Sequence, residues 1–254
     1  MGCLYLCVLF LCLFADQSHS LTRSERGAFR NFLVNGSPAV SLTRHSLEYY
    51  AMSTHGIPYD RTMHPNCVDE NGQLIIDADG DTRCADQTDD VIRIPRSPTY
   101  DPNRETTCLP MGKIGVALNG VAIFNPLSRD LQDALACERT DNCRGHPTSF
   151  GVFHYHGNPK CLMEGQSGII GVAFDGFPIY RKFNRRGQLT LPIGVTLDEC
   201  HGALIDGKYR YYVTEEFPYF LGCFRGEVSP DIRTGGSNCV KITEPYSKYS
   251  CTQK

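Results

Sequence analysis

The residues best placed to do chemistry are three histidines near the middle of the chain. His154 and His156 alternate with aromatic residues in Phe153-His154-Tyr155-His156, and His146 lies just upstream. Side chains alternate between the two faces of a β-strand, so a strand here places His154 and His156 on one face, which His146 can reach from the preceding loop. This spacing predicts a transition-metal site, with His201 as a candidate fourth ligand.

The character of such a site depends on how many ligands the protein supplies. Imidazole nitrogen suits zinc, copper, nickel or iron, and of these we take copper and zinc as the candidate cofactors. Three protein ligands with an open position are typical of a catalytic zinc centre, whereas four are typical of a structural one. A competing interpretation is that the histidines are hydrogen-bonded structural residues of an aromatic-rich strand.

A second candidate cation site lies in an acidic stretch. Asp77, Asp79 and Asp81 present carboxylates at alternate positions, which resembles the first half of a calcium loop. The EF-hand pattern fails, because Gly80 comes one residue early and Thr88 stands where the closing glutamate belongs. An acidic surface turn is the plainer interpretation.

The sequence offers little evidence for catalysis. It contains no His-Glu-x-x-His, no Gly-x-Ser-x-Gly and no phosphate-binding glycine loop. A carboxylate beside an open metal position can activate water, and Asp175, Asp198 and Glu199 are candidates for that role. Whether the protein is an enzyme stays undecided, with the balance against it.

The amino terminus predicts secretion. Residues 4–14 are an apolar run followed by small residues at Ser18 and Ser20, which is typical of a signal peptide over residues 1–20. The run is shorter than the roughly 20 apolar residues that span a bilayer, so we predict an extracellular protein without a membrane span. The net charge of −3 favours neither nucleic acid nor an anionic membrane as a partner.

The cysteines support an oxidising environment. Of the 13 cysteines, three lie in the predicted signal peptide. An even number in a secreted chain predicts disulfides, here five, with a connectivity that the sequence does not determine. The ten are Cys67, Cys84, Cys108, Cys137, Cys143, Cys161, Cys200, Cys223, Cys239 and Cys251.

Composition and turn residues indicate a mainly β fold, of the β-rich α+β kind. The chain has 24 Gly, 15 Pro and no Trp, which favours a turn-rich β architecture over a helix bundle. Asn35-Gly36-Ser37 is a glycosylation sequon in a stretch that we expect to be exposed, so the protein is predicted to be a glycoprotein.

An internal repeat with a period near 56 residues organises the second half of the chain. Residues 115–124 match residues 171–180, and each segment is followed by a cluster of Cys, Gly and His and then by an aromatic strand. Asn119-Gly120 and Asp175-Gly176 each predict a β-hairpin with a type I′ turn. Apolar residues at helical spacing between Pro126 and Cys137 predict one short helix, with Ser128 as its N-cap.

These features divide the chain into four parts. After the signal peptide we predict strands and loops packed on the core, a duplicated domain of two copies, and a tail tethered by Cys239 and Cys251. The N-terminal region of strands and loops covers residues 21–110. The duplicated domain covers residues 111–226, with copies at about 111–166 and 167–226, and the tail covers residues 227–254.

Several motifs in order resemble the YHYH domain family. They are Gly145-His146-Pro147, His154-Tyr155-His156, Leu197-Asp198-Glu199-Cys200-His201-Gly202, Tyr211-Tyr212-Val213-Thr214, Phe217-Pro218-Tyr219 and Gly222-Cys223, which together cover about residues 110–226. The resemblance implies a secreted β-rich domain and implies little about activity.

The chain departs from the family motif in both copies. Phe153 stands where the leading tyrosine is expected, and Arg210 stands where the second copy would have its first histidine. Arginine is always protonated and does not ligate metal, so any second site is lost or reduced. Two interpretations of Arg210 stay open: its charge pairs with Asp198 or Glu199 in place of a cation, or the side chain lies exposed at the surface, which is commoner for an arginine on a strand.

Three classes of function remain open. The first is a secreted metal-binding or extracellular-matrix module, which the histidine cluster favours. The second is a secreted metal-dependent hydrolase, and the third is a structural or partner-binding ectodomain without metal. The partner, an extracellular protein or the matrix itself, is not identified by the sequence.

Overall fold

The architecture is described from a computed structural model that covers residues 21–58, 85–162, 168–184, 186–235, 239–242 and 245–251. These parts form short strands, two α-helices and a single 3₁₀ turn at Tyr246–Lys248. The helices are α1 (Arg23–Asn31) and α2 (Ala134–Cys137). The strands are β1 (Leu33–Val34), β2 (Ser37–Pro38), β3 (Val40–Arg44), β4 (Tyr49–Thr54), β5 (Asp90–Pro95), β6 (Leu109–Pro110), β7 (Lys113–Ala117), β8 (Ala122–Phe124), β9 (Gly145–Pro147), β10 (Phe153–Tyr155), β11 (Ile169–Ala173), β12 (Pro178–Arg181), β13 (Gly202–Ile205), β14 (Lys208–Val213) and β15 (Cys239–Val240).

The central element is an eight-stranded sheet in the order β13-β14-β12-β11-β7-β8-β10-β9. From its centre outwards, the first half runs β7-β8-β10-β9 and the second runs β11-β12-β14-β13. Each half contains an antiparallel hairpin, then a parallel pair, then a second antiparallel pair. The predicted mainly β fold with an internal duplication is therefore confirmed.

The register at the centre of the sheet shows how the halves are related. In the antiparallel pair of β7 and β11, Gly115 faces Ala173, Val116 faces Val172 and Ala117 faces Gly171. A shift of 56 residues maps this set of pairs onto itself, so that a pseudo-twofold axis passes between Val116 and Val172.

The hairpins are confirmed, but the predicted turn type is wrong. The Ala117 N–H donates to the Val121 carbonyl, and within this three-residue loop Gly120 has a φ of 81° whereas Asn119 has no positive φ. This is a type I turn followed by a glycine bulge, and the second hairpin repeats it at Gly176. The Asn119 side-chain oxygen accepts from the Val121 N–H, which satisfies the turn without a second left-handed residue.

The N-terminal region contacts the tips of both hairpins. The sheet β3-β4-β5 contributes Met52 and Ile94 to the apolar core that it shares with the eight-stranded sheet. The Thr54 hydroxyl donates to the carbonyl of Gly120 at one tip. At the other tip, a Cβ on Gly176 would lie 2.7 Å from the Pro95 carbonyl, so only glycine fits there.

Helix α1 was not predicted, since only strands and loops were expected in this region. Its sequence signal is a capping box, in which Thr22 accepts from the Glu25 N–H and Glu25 accepts from the Thr22 N–H. The helix buries Phe29. Its Glu25 also accepts a hydrogen bond of 2.6 Å from the Tyr180 hydroxyl, which ties the helix to the second half of the large sheet.

The predicted helix after Pro126 is shorter than expected. Only Ala134–Cys137 is helical, and Asp133 caps it instead of Ser128. Leu131 has a φ of 59°, which a helix excludes, and the Ser128 hydroxyl accepts from the N–H groups of its own turn.

Four of the predicted disulfides are present in the described chain. They join Cys108 to Cys239, Cys137 to Cys251, Cys143 to Cys161 and Cys200 to Cys223. Cys67 and Cys84 lie outside the described residues, as does the predicted signal peptide over residues 1–20. Within the ranges that the structure describes, no helix is both long and apolar enough to cross a membrane.

The central register yields a stability prediction. A Cβ on Gly115 would lie 2.6 Å from the Val172 carbonyl, and one on Gly171 would lie 2.6 Å from the Val116 carbonyl. Gly115→Ala and Gly171→Ala should therefore lower the free energy of unfolding by similar amounts, about 1–3 kcal/mol, because backbone must move to admit the methyl group. Denaturant titration with the disulfides intact measures this.

The matched control is Gly27→Ala, in α1. A Cβ there meets nothing within 4 Å, so alanine should stabilise the protein by roughly 0.5–1 kcal/mol. Two central variants as stable as wild type would contradict the close approach of β7 and β11.

Candidate metal centre

The three central histidines are brought together by two adjacent strands at one end of the large sheet. His154 lies on β10 and faces His146 on β9. His156 follows His154 by two residues and so projects from the same face. Nitrogen atoms from all three rings lie within 4.8 Å of one another, which is a grouping that can hold a metal ion.

Hydrogen bonds to backbone carbonyls fix the state of two of these rings. His154 Nδ1 lies 3.0 Å from the Val152 carbonyl oxygen, and His156 Nδ1 lies 2.8 Å from that of Asn125. A carbonyl only accepts, so each Nδ1 must carry the hydrogen and each neutral ring presents a bare lone pair at Nε2. The two Nε2 atoms lie 2.9 Å apart. Two lone pairs at this separation repel one another unless a cation lies between them.

Glu138 is a member of the cluster that sequence reasoning missed. Its Oε2 lies 3.2 Å from His146 Nε2 and 3.5 Å from His156 Nε2. The residue follows the last turn of α2 and belongs to no short motif with the histidines. The tertiary structure alone brings it there.

The cluster is almost closed to solvent. The side chains of His146, His154 and His156 are 7% exposed or less, and that of Glu138 is 18% exposed. Burial lowers the pKa of His156 to about 4, and it lowers the pKa of His154 well below its usual value, with repulsion from the other two imidazoles adding to the effect. The rings of His154 and His156 are therefore neutral, as metal ligands must be.

The Glu138 carboxylate carries a negative charge in this setting. Burial by itself raises the pKa of Glu138, but its close approach to His146 and His156 lowers it overall. One anion beside three imidazoles makes the interior of the cluster attractive to a divalent cation.

Neighbouring groups hold the rings in place. Phe124 stacks on His154 with ring centroids 3.8 Å apart. The disulfide between Cys143 and Cys161 joins the loop before β9 to the loop after β10, so that it brackets the strands that carry the histidines. Carbonyl partners at Nδ1 are the usual outer support of metal-binding imidazoles.

Three of the separations within the cluster are close to those between ligands of a tetrahedral metal. Bonds of 2.0–2.1 Å at tetrahedral angles place neighbouring ligand atoms about 3.3 Å apart. The Nε2 atoms of His154 and His156 lie 2.9 Å apart, and Glu138 Oε2 lies 3.2 Å from His146 Nε2 and 3.5 Å from His156 Nε2. Three nitrogens and one oxygen suit zinc or copper.

The second half of the sheet lacks these ligands. In its register Ala203 faces Arg210, the pair that corresponds to His146 facing His154. Tyr212 then stands where the first half has His156. The Arg210 guanidinium lies 4.8 Å from the centre of the Tyr180 ring, just as His154 stacks on Phe124.

The expected pairing of Arg210 with Asp198 or Glu199 is wrong. Arg225 takes both partners, at 2.9 Å from Asp198 and 3.5 Å from Glu199. The chain after β14 thus delivers a second arginine to these carboxylates, whereas the Arg210 guanidinium lies over the Tyr180 ring.

His201 does not join the three histidines. It precedes β13, which is at the opposite end of the sheet from β9, and its Nε2 lies 2.9 Å from the Thr214 hydroxyl. Its structural counterpart in the first half is Arg144, since both residues have a positive φ. The Arg144 carbonyl accepts from the His156 N–H, and the His201 carbonyl accepts from the equivalent N–H of Tyr212.

The carboxylates suggested for water activation lie away from the cluster. Asp198 and Glu199 pair with Arg225. Asp175 is fully buried in the second hairpin, where it accepts hydrogen bonds from the Tyr211 hydroxyl (2.5 Å) and the Gly226 N–H (3.0 Å). Glu138 is the carboxylate beside the histidines.

The two remaining sites predicted from the sequence are the calcium loop, which the structure does not describe, and the glycosylation sequon, which it does. Asp77, Asp79 and Asp81, the proposed calcium loop, lie outside the described residues. Asn35 lies at the tip of the β1–β2 hairpin, where it is exposed and has a φ of 51°.

The sequence profile of one family, described as YHYH protein, matches residues 91–190. This confirms the resemblance to the YHYH family, over a range that begins and ends earlier than the motifs suggested. The match contains Glu138 and the three clustered histidines and ends before β13 and β14. No curated protein matches the chain, and no solved structure does.

Asp175 yields a prediction of pH dependence. Burial raises its pKa from the ordinary 3.8 to about 6. The folded protein therefore holds this proton after the unfolded chain has released it, and stability is lost as the pH rises through about 6. The contribution of Asp175 to the free energy of unfolding should fall between pH 4 and pH 7 by an amount on the order of 3 kcal/mol, which is what this difference between the unfolded and the folded pKa corresponds to. The buried histidines, whose pKa values are lowered, act in the opposite direction over the same range.

Asp175→Asn removes this titration. The free energy of unfolding is measured for the variant and for wild type at each pH. The difference, variant minus wild type, should rise by that amount between pH 4 and pH 7. The lost hydrogen bonds add only a constant offset, which does not alter this rise. Asp101→Asn, at an exposed loop residue, is the control and should show no such trend. A difference that stays constant with pH would refute the buried, protonated carboxyl.

Proposed function

We propose that this chain is a secreted, disulfide-rich protein that binds one transition metal ion, zinc or copper, through His146, His154 and His156. The observation that carries the proposal is the approach of two imidazole Nε2 atoms to 2.9 Å while both Nδ1 hydrogens are committed to backbone carbonyls. A metal ion converts that repulsion into two bonds, and the buried Glu138 carboxylate balances its charge.

The stoichiometry follows from the comparison of the two halves. The second half has Ala203, Arg210 and Tyr212 in the ligand positions, and none of these can provide an imidazole. The Arg210 cation lies on Tyr180 instead. One ion is therefore expected for each chain.

The surroundings of the site favour metal retention over catalysis. The histidine side chains are nearly closed to solvent, and the remaining side of the cluster is taken by Glu138. A metal-dependent hydrolase needs an open coordination position that substrate and water can reach. A metal-binding module of an extracellular or matrix protein fits the closed geometry better.

The disulfides support an extracellular location. Four disulfides join the strands, the loops and the C-terminal segments, and such bonds persist in oxidising compartments. The apolar run at residues 4–14 and the exposed sequon at Asn35 agree with passage through the secretory pathway.

Metal analysis tests the site. Protein purified without an affinity metal should contain close to one zinc or copper per chain, and the double variant His154→Ala with His156→Ala should contain almost none. His201→Ala is the matched control, because it removes a half-buried histidine of the other half and should leave the metal content unchanged. Equally low metal in wild type and in the double variant would end the proposal.

Glycosylation tests the secretory route separately. Protein secreted from animal cells should lose mass when treated with an enzyme that removes N-linked glycans, and Asn35→Gln should abolish that loss. Ser37→Ala destroys the sequon while leaving Asn35 in place and should behave in the same way. Secreted wild-type protein of unmodified mass would show that the sequon is not used.

A further inference from the structure

The C-terminal segment reaches the metal centre through α2. We define the C-terminal strap as residues 245–251, which end in the disulfide from Cys251 to Cys137. Cys137 is the last residue of α2, and Glu138 follows it directly. The strap is thus covalently attached one residue from the carboxylate that lies among the histidines.

Helix α2 depends on contacts from outside for its position. It has four residues, far fewer than the ~12–15 that an isolated helix needs for even marginal stability. Its N-cap Asp133 is fully buried and accepts hydrogen bonds from the Tyr219 hydroxyl at 2.8 Å and the Tyr246 hydroxyl at 2.9 Å. The Asp133 N–H donates to the carbonyl of Tyr249 at 2.6 Å. Two of these three contacts come from the strap.

An aromatic cluster fixes the strap in turn. The Phe217 ring stacks on Tyr249 with centroids 5.1 Å apart, and it meets the edge of Tyr246 at 5.4 Å. The strap therefore holds α2 at both ends, by hydrogen bonds at Asp133 and by the disulfide at Cys137. Glu138 leaves the helix from a fixed point.

We propose that Glu138 is the fourth ligand of the metal and that the C-terminal strap, through the Cys137–Cys251 disulfide, is the device that positions it. This rests on the proposed metal site. Glu138 Oε2 is 3.2 Å from His146 Nε2 and 3.5 Å from His156 Nε2, the spacing of a ligand and not of a distant counter-ion. With Glu138 in place the site has four protein ligands and is closed. Without the strap, Glu138 is free to withdraw, and water takes the fourth position.

The test compares three proteins loaded with one equivalent of copper(II). Glu138→Gln replaces the charged ligand by an amide of the same shape. Cys137→Ser with Cys251→Ser removes the tether and keeps Glu138. The control is Cys108→Ser with Cys239→Ser, which opens the disulfide that joins the neighbourhoods of β6 and β15 and leaves α2 attached to the strap.

Two readouts are expected to move together. Copper release to excess EDTA should be about 10–100-fold faster or more in Glu138→Gln and in the Cys137/Cys251 variant, since losing even a residue that only supports a ligand costs about this much in metal affinity. The copper electron paramagnetic resonance spectrum should shift in the same direction in both, because one of the copper ligands would have changed. The Cys108/Cys239 control should match wild type in both readouts.

The outcomes separate this inference from the proposed function. If wild type binds no copper and His154→Ala with His156→Ala behaves identically, the metal site itself is absent. If wild type binds copper but Glu138→Gln keeps its spectrum and release rate, Glu138 is not a ligand. If Glu138→Gln changes both while the Cys137/Cys251 variant changes neither, the strap does not position it.

A milder variant tests the same positioning role in case the Cys137/Cys251 variant does not fold. Tyr246→Phe removes one hydrogen bond from the strap to Asp133 and leaves every disulfide in place. Copper release should be severalfold faster than in wild type, with a spectrum shifted partway towards that of Glu138→Gln. Release and spectrum identical to wild type would refute the positioning role.

Discussion

The close contact of β7 with β11 is the constraint on which the rest of the structure depends. The two strands pair so that Val116 faces Val172, and Gly115 and Gly171 let each backbone approach the other without an intervening side chain. Every other strand of the large sheet is added outwards from this pair, in the same order on each side. The duplication in sequence thereby becomes a pseudo-twofold axis, and the two outermost hairpins become equivalent positions at opposite ends of the sheet.

The two ends have the same backbone and different chemistry. Asp141 and Asp198 accept from the same set of turn N–H groups and so shape the two outer hairpins alike. The side chains on the equivalent face are histidines at one end and Ala203, Arg210 and Tyr212 at the other. A shared scaffold therefore carries a candidate metal centre in one copy and an arginine stacked on a tyrosine in the other.

The segments outside the repeat complete this arrangement. The N-terminal sheet meets both hairpin tips, Arg225 after the second copy neutralises Asp198, and the C-terminal strap fixes α2 beside the histidines. Some of these contacts join residues far apart in the chain, as the disulfide of Cys137 with Cys251 illustrates with a separation of 114. Asymmetry between the copies arises from these additions as much as from substitutions within them.

The sequence by itself determined the mainly β fold, the repeat, the two hairpins and the convergence of His154 with His156, because all of these follow from local turn chemistry and the period of two along a strand. Two features were decided by the tertiary structure alone. The exclusion of His201 depended on which residue faces which across two strands, and the approach of Glu138 depended on a disulfide to the C-terminal strap. Contacts between residues distant in sequence leave no pattern in any short window, and the position of Glu138 is set by contacts of that kind.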